Sequence, residues 1–414
     1  MRSFDVVIAG GGLAGSSLGG VLARSGLGVL VVEKESGFRD RIRGELSWPW
    51  GHAEALRAGL GEPLEQLGVV PLPEIGFYQD GQRVDSLTWA SISIDGLPAI
   101  GFLHPQLQEV LLTWSASQGA TVLRPAKVVG VAARLGQGRG ATVSVVSDAG
   151  TTEYQARLVV GADGKTSGAR RWLRAETVTD PEHHRFGGLL LSGVDWDDSF
   201  GWATTPGYAV GWFLNGSDTC RVYIRLTADR VREKGVGQSA DAFVDFAAKA
   251  VPEGTFDDAH PVGPLGFFAN SCTWASRIAL GPMVLVGDAA GALDPTQGIG
   301  TSLLFRDVRF LSELLLADRD WERATAEFAE QRAAYYDVLR AYDRWTALID
   351  AEEGTEADRR RELNGAARET DPTLGGFATL EACGPDGLVP DEAARRVFFG
   401  ELATPGGIEE IAKR

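Results

Sequence analysis

Apolar positions follow two periods along this chain. Four uninterrupted runs end in turns: Val6-Val7-Ile8-Ala9 before Gly10-Gly11-Gly12, Val29-Leu30-Val31-Val32 before Glu33, Leu158-Val159-Val160 before Gly161-Ala162-Asp163-Gly164, and Val284-Leu285-Val286 before Gly287-Asp288. Runs apolar at every position predict strands covered on both faces, as in a parallel sheet. Leu13 to Arg24, between the first two, reads as a helix. Elsewhere the period is two. Ile75 to Val84 predicts a hairpin turning at Asp80-Gly81, and Phe186 to about Thr227 predicts an antiparallel sheet. Leu107 to Ser117 reads as a helix. Val122 to Ala133 and Ala141 to Val146 read as strands joined by the loop 136–140. Ser302 to about Glu353 is mostly helical. Parallel-type strands thus bracket an antiparallel insertion. The expected fold is α/β: a Rossmann-like nucleotide-binding domain interrupted by an antiparallel β-sheet substrate domain, with C-terminal helices. The boundaries fall at 1–74, 101–180 and 271–320 for the discontinuous first domain. The second takes 75–100 and 181–270, and a helical segment takes 321–414.

The first glycine turn has the parts needed to hold a dinucleotide. Gly10 permits a tight turn, Gly12 lets the backbone approach a pyrophosphate, and Gly15 lets the helix pack close to the strand. The helix start offers free N–H groups and the positive end of its dipole. Glu33, eighteen residues after Gly15, would take both hydroxyls of an adenosine ribose. Two flanking strands and the acid make this fingerprint specific. The glycine spacing at 136–140 has no such frame and reads as a hairpin turn.

Composition narrows the function. At 414 residues, 44% hydrophobic and 23% charged, the chain holds about two domains' worth of core. A net charge of −16 argues against nucleic acid and against an anionic membrane surface, so an anionic ligand must be held by local dipoles and arginines. No apolar run is long enough to cross a bilayer, and the first residues read as a strand rather than a signal peptide. The expected location is the cytoplasm. Cys220, Cys272 and Cys383 suit reduced structural thiols. None of the five histidines has metal-ligand spacing, and His183-His184 reads as a loop entering the second domain. Gly-x-Ser-x-Gly and Cys-His nucleophile patterns are absent, which leaves the hard chemistry to a cofactor.

Three separated motifs end apolar strands: the first glycine turn with Glu33; Gly161-Ala162-Asp163-Gly164 with Ser167 and Arg170; and Gly287-Asp288-Ala289-Ala290-Gly291 with Pro295, Gly298 and Gly300. In this order and spacing the chain resembles the class A flavoprotein monooxygenases, the p-hydroxybenzoate hydroxylase-like family, over residues 1 to about 345. The resemblance implies bound FAD. Gly10, Gly12 and Gly15, with Leu13 and Ala14 in the same turn, would face its pyrophosphate. Glu33, followed by Lys34, would meet the adenosine ribose. Arg43 would reach the sugar or phosphate side, and Gln108 would stand near the ribityl chain. Asp163 would organise FAD and the approach of NAD(P)H, and Asp288 would hydrogen-bond a ribityl hydroxyl. Pro295, Gly298, Ile299 and Gly300 would lie against the flavin ring, where a helix N-terminus stabilises the charge of the reduced ring.

The implied activity is that of an FAD-dependent monooxygenase. NADPH or NADH binds as a transient co-substrate, and a flavin hydroperoxide inserts one oxygen atom of O2 into an aromatic or polycyclic small molecule. Trp50, Phe77, Tyr208, Trp212 and Phe213 are candidates for the substrate wall, and eleven tryptophans favour an aromatic substrate. No residue stands out as a general base. Expected partners are small molecules only, and the chain would be a monomer or homodimer. Gly291 stands where many family members carry histidine, which keeps a reductase or halogenase of the same fold open. Trp48-Pro49-Trp50 continues as Gly51-His52 and lacks the rest of the halogenase signature. An FAD-scaffolded non-redox cyclase and a nucleotide-binding regulatory protein are also compatible with these motifs.

Overall fold

The computed structural model describes residues 2–42, 44–134, 140–196, 198–205, 207–350 and 352–403. Arg43 and most of the loop 136–140 lie outside the described residues. The chain begins with β1 (Arg2–Ala9), α1 (Leu13–Arg24) and β2 (Val29–Val32). Val6 to Ala9 and all of β2 are buried, so neither run alternates. Helix α2 (Pro49–Arg57), the hairpin of β3 (Glu74–Gln79) and β4 (Gln82–Thr88), and α3 (His104–Ser117) follow. The hairpin turns at Asp80 and Gly81, both with positive φ.

Next come β5 (Thr121–Leu123), β6 (Ala126–Arg134), β7 (Gly140–Ser147) and β8 (Gly150–Gly161). The single strand expected from Val122 to Ala133 is therefore two, separated at Pro125, which has no N–H for a ladder. The second half supplies β9 (Arg185–Ser192), β10 (Phe200–Thr205), β11 (Tyr208–Leu214), β12 (Thr219–Leu226) and β13 (Met283–Leu285). Helices α4 (Gly300–Ala317), α5 (Trp321–Asp350), α6 (Thr355–Thr370) and α7 (Leu380–Cys383) complete the described elements that matter for the site.

In the first sheet β13, β8, β1, β2 and β5 lie side by side and parallel. Their C-terminal ends share one edge, where open α/β sheets bind ligands. Strands β6 and β7 extend β8 as an antiparallel meander. The second sheet has the order β9-β12-β11-β10-β3-β4. Its pairings are antiparallel except between β10 and β3, which run parallel, with Gly201 opposite Gly76. The expectation of a purely antiparallel sheet fails at this seam because β3 arrives from far earlier in the chain, with no hairpin to set its direction.

The period of two divides this sheet's side chains between its faces. Val210, Trp212, Val222 and Ile224 pack with Phe243 and Phe246 of the helix Ala240–Ala247. Phe200, Phe213 and Tyr223 lie on the opposite side, in a cluster with Trp345 of α5 and with Phe377, Leu380 and Phe398. The C-terminal segment thus joins the core of the second sheet rather than only covering the first. Among the described residues no helix is long and apolar enough to cross a membrane, and no three His, Cys, Asp or Glu side chains could hold a metal ion together.

Candidate active site

A cavity of about 1140 Å3 is lined by both sheets. At the edge of the first sheet it meets Gly12, Leu13 and Ala14 at the start of α1, Gln108 of α3, Gly164 after β8 and Asp288 after β13. Pro295, Gly298 and Gly300 at the start of α4 come next. The inner face of the second sheet contributes Phe77, Phe186, Phe200, Trp202, Phe213 and Tyr223.

Gly10, Gly15, Glu33, Lys34, Asp163 and Ile299 do not line this cavity; most of them shape what does. Gly10 has φ 110°, and a Cβ there would stand 2.4 Å from the Ala162 carbonyl oxygen. A Cβ on Gly15 would stand 1.9 Å from the Gly10 carbonyl oxygen. Buried Glu33 accepts the Gly11 N–H on Oε2 and the Glu35 N–H on Oε1, each at 2.7 Å. Its carboxylate thereby ties the first turn to the end of β2. Asp163 accepts from the N–H groups of Gly168 (2.7 Å) and Ala169 (3.1 Å) and from the Ser167 hydroxyl. That fold of the loop leaves Gly164, Lys165 and Thr166 on the cavity wall.

Several organising residues have roles that the sequence alone did not assign. Arg170 donates from Nε to the Ala289 carbonyl (2.9 Å) and from Nη2 to the Asp288 carbonyl (3.0 Å), clamping the second motif to the third. Asp307 of α4 accepts the Gly287 N–H (2.8 Å), the Tyr335 hydroxyl (2.6 Å) and Arg332 Nε (2.9 Å). Arg332 also donates from Nη2 to the carbonyls of Gly287 and Gly291, both at 3.2 Å. Glu45, fully buried on the cavity wall, accepts from Arg221 Nε and Asn215 Nδ2, each at 2.8 Å. Arg221 and Arg225, placed four apart in the otherwise apolar β12, were a legible signal of buried charge.

His183 stands in the loop that leads into β9, as expected, and its Nε2 lies 2.9 Å from Oδ2 of Asp294, which lines the cavity wall. Burial pushes the Asp294 carboxyl up, yet the donors His183 and Thr296 hold it below its ordinary value.

The predicted substrate wall is only partly assembled. Phe77, Trp212 and Phe213 border the cavity. The Trp212 indole, however, turns to the other face of the sheet and stacks on Trp196 with centroids 4.0 Å apart. Tyr208 packs on Phe246 at 4.6 Å, and the buried Trp50 packs against Gly384, so neither lines the cavity. Alternation explains the sheet residues: consecutive positions such as Trp212 and Phe213 point to opposite faces. Phe186, Phe200, Trp202 and Tyr223, which the sequence reading did not select, line the cavity in their place.

A match to the family described as FAD binding domain spans residues 3–324. The chain belongs to that family. It is an FAD-dependent oxidoreductase, as the three motifs anticipated, and its fold is one that flavoprotein monooxygenases share. Among curated relatives, digeranylgeranylglycerophospholipid reductase 1 of Methanococcoides burtonii is 26% identical over 322 residues, 72% of this chain and 71% of that protein. Squalene monooxygenase SE1 of Panax ginseng is 24% identical over 323 residues, 77% of this chain but only 59% of that protein. The probable FAD-dependent monooxygenase pqsL of Pseudomonas aeruginosa shares the fold, with a TM-score of 0.72 at 20% identity over 85% of this chain and 97% of that one.

The residues present fit FAD. Beside Gly164 and Gly300 no protein atom lies within 4 Å of where a Cβ would stand, and beside Gly12 the nearest is Gln108 Nε2 at 3.5 Å. Each of these glycines opens on the cavity. Helices α1 and α4 both begin there, so two sets of N–H groups without intrahelical acceptors and two positive dipole ends converge. The volume also exceeds the roughly 300–1,000 Å3 of a typical small-molecule site, as a dinucleotide with a substrate beside it requires.

Proposed function

We propose that this chain is a monooxygenase that uses NAD(P)H and O2 to place one oxygen atom on an apolar aromatic or polycyclic small molecule. The observation that carries this reading is the cavity itself. It joins a glycine-lined, dipole-rich sheet edge to a room walled by Phe77, Phe186, Phe200, Trp202, Phe213 and Tyr223. In this reading residues 1–74, 101–180 and 271–320 hold FAD, and 75–100 and 181–270 hold the substrate. Gly12, Leu13 and Ala14 cradle the pyrophosphate. Gly10 and Gly15 shape that turn, with Glu33, followed by Lys34, at the adenosine side. Gln108 and Asp288 meet the ribityl chain, and Pro295 to Gly300 meet the ring.

When bound, FAD supplies the redox chemistry, taking electrons from a nicotinamide cofactor and passing them to O2. The chain's own residues do the rest. The N-terminus of α4 stabilises negative charge that develops beside it, and the aromatic walls exclude water and hold the acceptor in place. The carboxylate of Asp294, paired with His183, stands where a proton could be accepted from an ionisable substrate.

The test is direct. The purified protein should be yellow, and its NADPH consumption should rise with candidate phenols or polycyclic aromatics, giving products that gain one oxygen atom. Products that gain two hydrogens would favour reduction, a second reading prompted by the reductase relative. An unchanged mass would favour a scaffold role.

Asp288→Ala checks the third motif separately. We expect FAD retention on dialysis to fall about tenfold to a hundredfold, the effect of losing one or two charge-assisted hydrogen bonds, with little change in melting temperature. Full yellow occupancy after dialysis would overturn the placement.

A further inference from the structure

Strand β12 turns alternate side chains toward the cavity. Arg221, Tyr223 and Arg225 share that face, and Tyr223 lines the wall. Two of the three are accounted for. Glu45 and Asp40 hold Arg221, and the Tyr223 ring stacks on Phe186 with centroids 4.6 Å apart. Arg225 is different. It is 2% exposed, yet neither Nη1 nor Nη2 has a hydrogen-bond partner. The Asp350 carboxylate at the end of α5 lies 3.9 Å from Nη1, beyond hydrogen-bond reach. The guanidinium carbon stands 5.4 Å from the centre of the Trp202 ring. Asp350 and Trp202 both line the cavity, so the unsatisfied N–H groups stand behind its wall and are aimed between them.

This corner is balanced in charge and deficient in hydrogen bonds. Burial works against the Arg225 charge and lowers its pKa, while the carboxylates of Asp350 and Asp294, another lining residue, favour the charged form. The charge is thus offset from two sides. The N–H groups are not satisfied, and a buried donor without an acceptor costs free energy that an acceptor beside it restores. Thr346 adds a second donor. Its hydroxyl is buried at the cavity wall and has no hydrogen-bond partner. It stands four residues before Asp350 on α5, and residues four apart are neighbours on a helix surface. The family match ends at residue 324, so the share of this wall that α5 contributes is not fixed by family membership.

Both donors call for an oxygen that brings no charge of its own. A carboxylate or phosphate would be repelled by Asp350 and Asp294. A ketone, quinone or amide oxygen accepts two hydrogen bonds and leaves the charge balance as it stands.

We propose that Arg225, with Thr346, forms a specificity-determining subsite for a neutral carbonyl oxygen of the substrate. The oxygen is received between Trp202 and Asp350 while the aromatic room holds the attached rings. The inference deepens the reading of this cavity as the substrate's room and rests on it. Among aromatic and polycyclic molecules it selects those that carry a ketone, quinone or amide oxygen on the edge that meets α5.

The experiment uses the full FAD-loaded chain, without NADPH, and three probes on one ring system: 2-acetylnaphthalene, 2-ethylnaphthalene and 2-naphthoate. Binding is followed by calorimetry and by perturbation of the oxidised flavin spectrum. The ketone should bind about tenfold to a hundredfold more tightly than the hydrocarbon, the range for a hydrogen bond from a charged donor. It should also outbind the carboxylate. Burial of apolar surface alone gives the opposite order, because the hydrocarbon gains more by leaving water. Arg225→Met should bring ketone and hydrocarbon to equal affinity. Thr346→Val removes one hydroxyl at nearly constant shape and should cut the ketone's advantage several-fold. With a melting curve for each variant, it also decides the matter if Arg225→Met fails to fold. Equal affinities in the unaltered chain, the result if water alone satisfies Arg225, would overturn the proposal. So would a preference for the carboxylate, no binding of the ketone, or a ketone preference unchanged in the variants. Because no turnover is involved, failure of the monooxygenase reading would appear separately, as ketone-selective binding without oxygenated product.

Discussion

Arg332→Met should lower the unfolding free energy by about 3–5 kcal/mol, the usual consequence of leaving a buried partner charge uncompensated. Arg332 is 2% exposed and lies wholly within the packing of α5 on α4. Its loss strands the Asp307 carboxylate, fully buried, with only the Tyr335 hydroxyl and the Gly287 N–H as donors. It also strips a donor from the carbonyls of Gly287 and Gly291, the two ends of the third glycine motif. The loss should appear as a lower denaturant midpoint and as faster release of FAD. The double variant Asp307→Leu/Arg332→Met should recover part of the stability, because it removes both charges together. Recovery of stability without recovery of FAD binding would separate the strut's structural work from its placement of the motif. An Arg332→Met variant with an unchanged midpoint would refute the strut.

Gly15→Ala is the second large effect. The added methyl would stand 1.9 Å from the Gly10 carbonyl oxygen and 3.1 Å from Ile8 Cγ2. Both neighbours belong to β1 and its turn, so relief requires moving the backbone that presents Gly12 to the cavity. We expect FAD affinity to fall by about a hundredfold or more, since shifts of about an ångström in a positioned site cost that much, with a lower melting temperature. Gly300→Ala is the control. Its methyl meets no protein atom within 4 Å, so folding and melting should be unchanged, and any effect should be confined to the flavin spectrum and affinity. Titration of each purified variant with FAD, followed by flavin fluorescence, reads both outcomes. Equal affinities for the two variants would contradict the cradle.

These variants mark how far linear patterns reach. The turn from Gly10 to Gly15, its flanking strands and Glu33 were legible because the requirements are local: a positive φ at Gly10, close helix packing at Gly15 and an acid at the end of β2. Asp163 was legible as a turn residue, and its bonds to Gly168 and Ala169 are turn bonds. The aromatic wall was harder. Trp212 and Phe213 looked alike in sequence and face opposite sides of one sheet. Choosing between them needed the register of β11 and knowledge of which face meets the cavity. Tyr208 stands on β11 as well, yet its ring settles on Phe246 in the layer behind.

The chain's linear pattern by itself determined the strand-turn-helix units, the two sheet types and the three glycine motifs at strand ends. Each depends on periodicity or on backbone freedom within a few residues. Only the tertiary structure decided what joins them. Arg170 bridges motifs more than a hundred positions apart, Arg221 of the second sheet meets Glu45 from 176 positions earlier, and Glu381 lines the same cavity as Gly12. Those contacts come from packing separate elements, whose direction and register bring together charges that no local spacing relates.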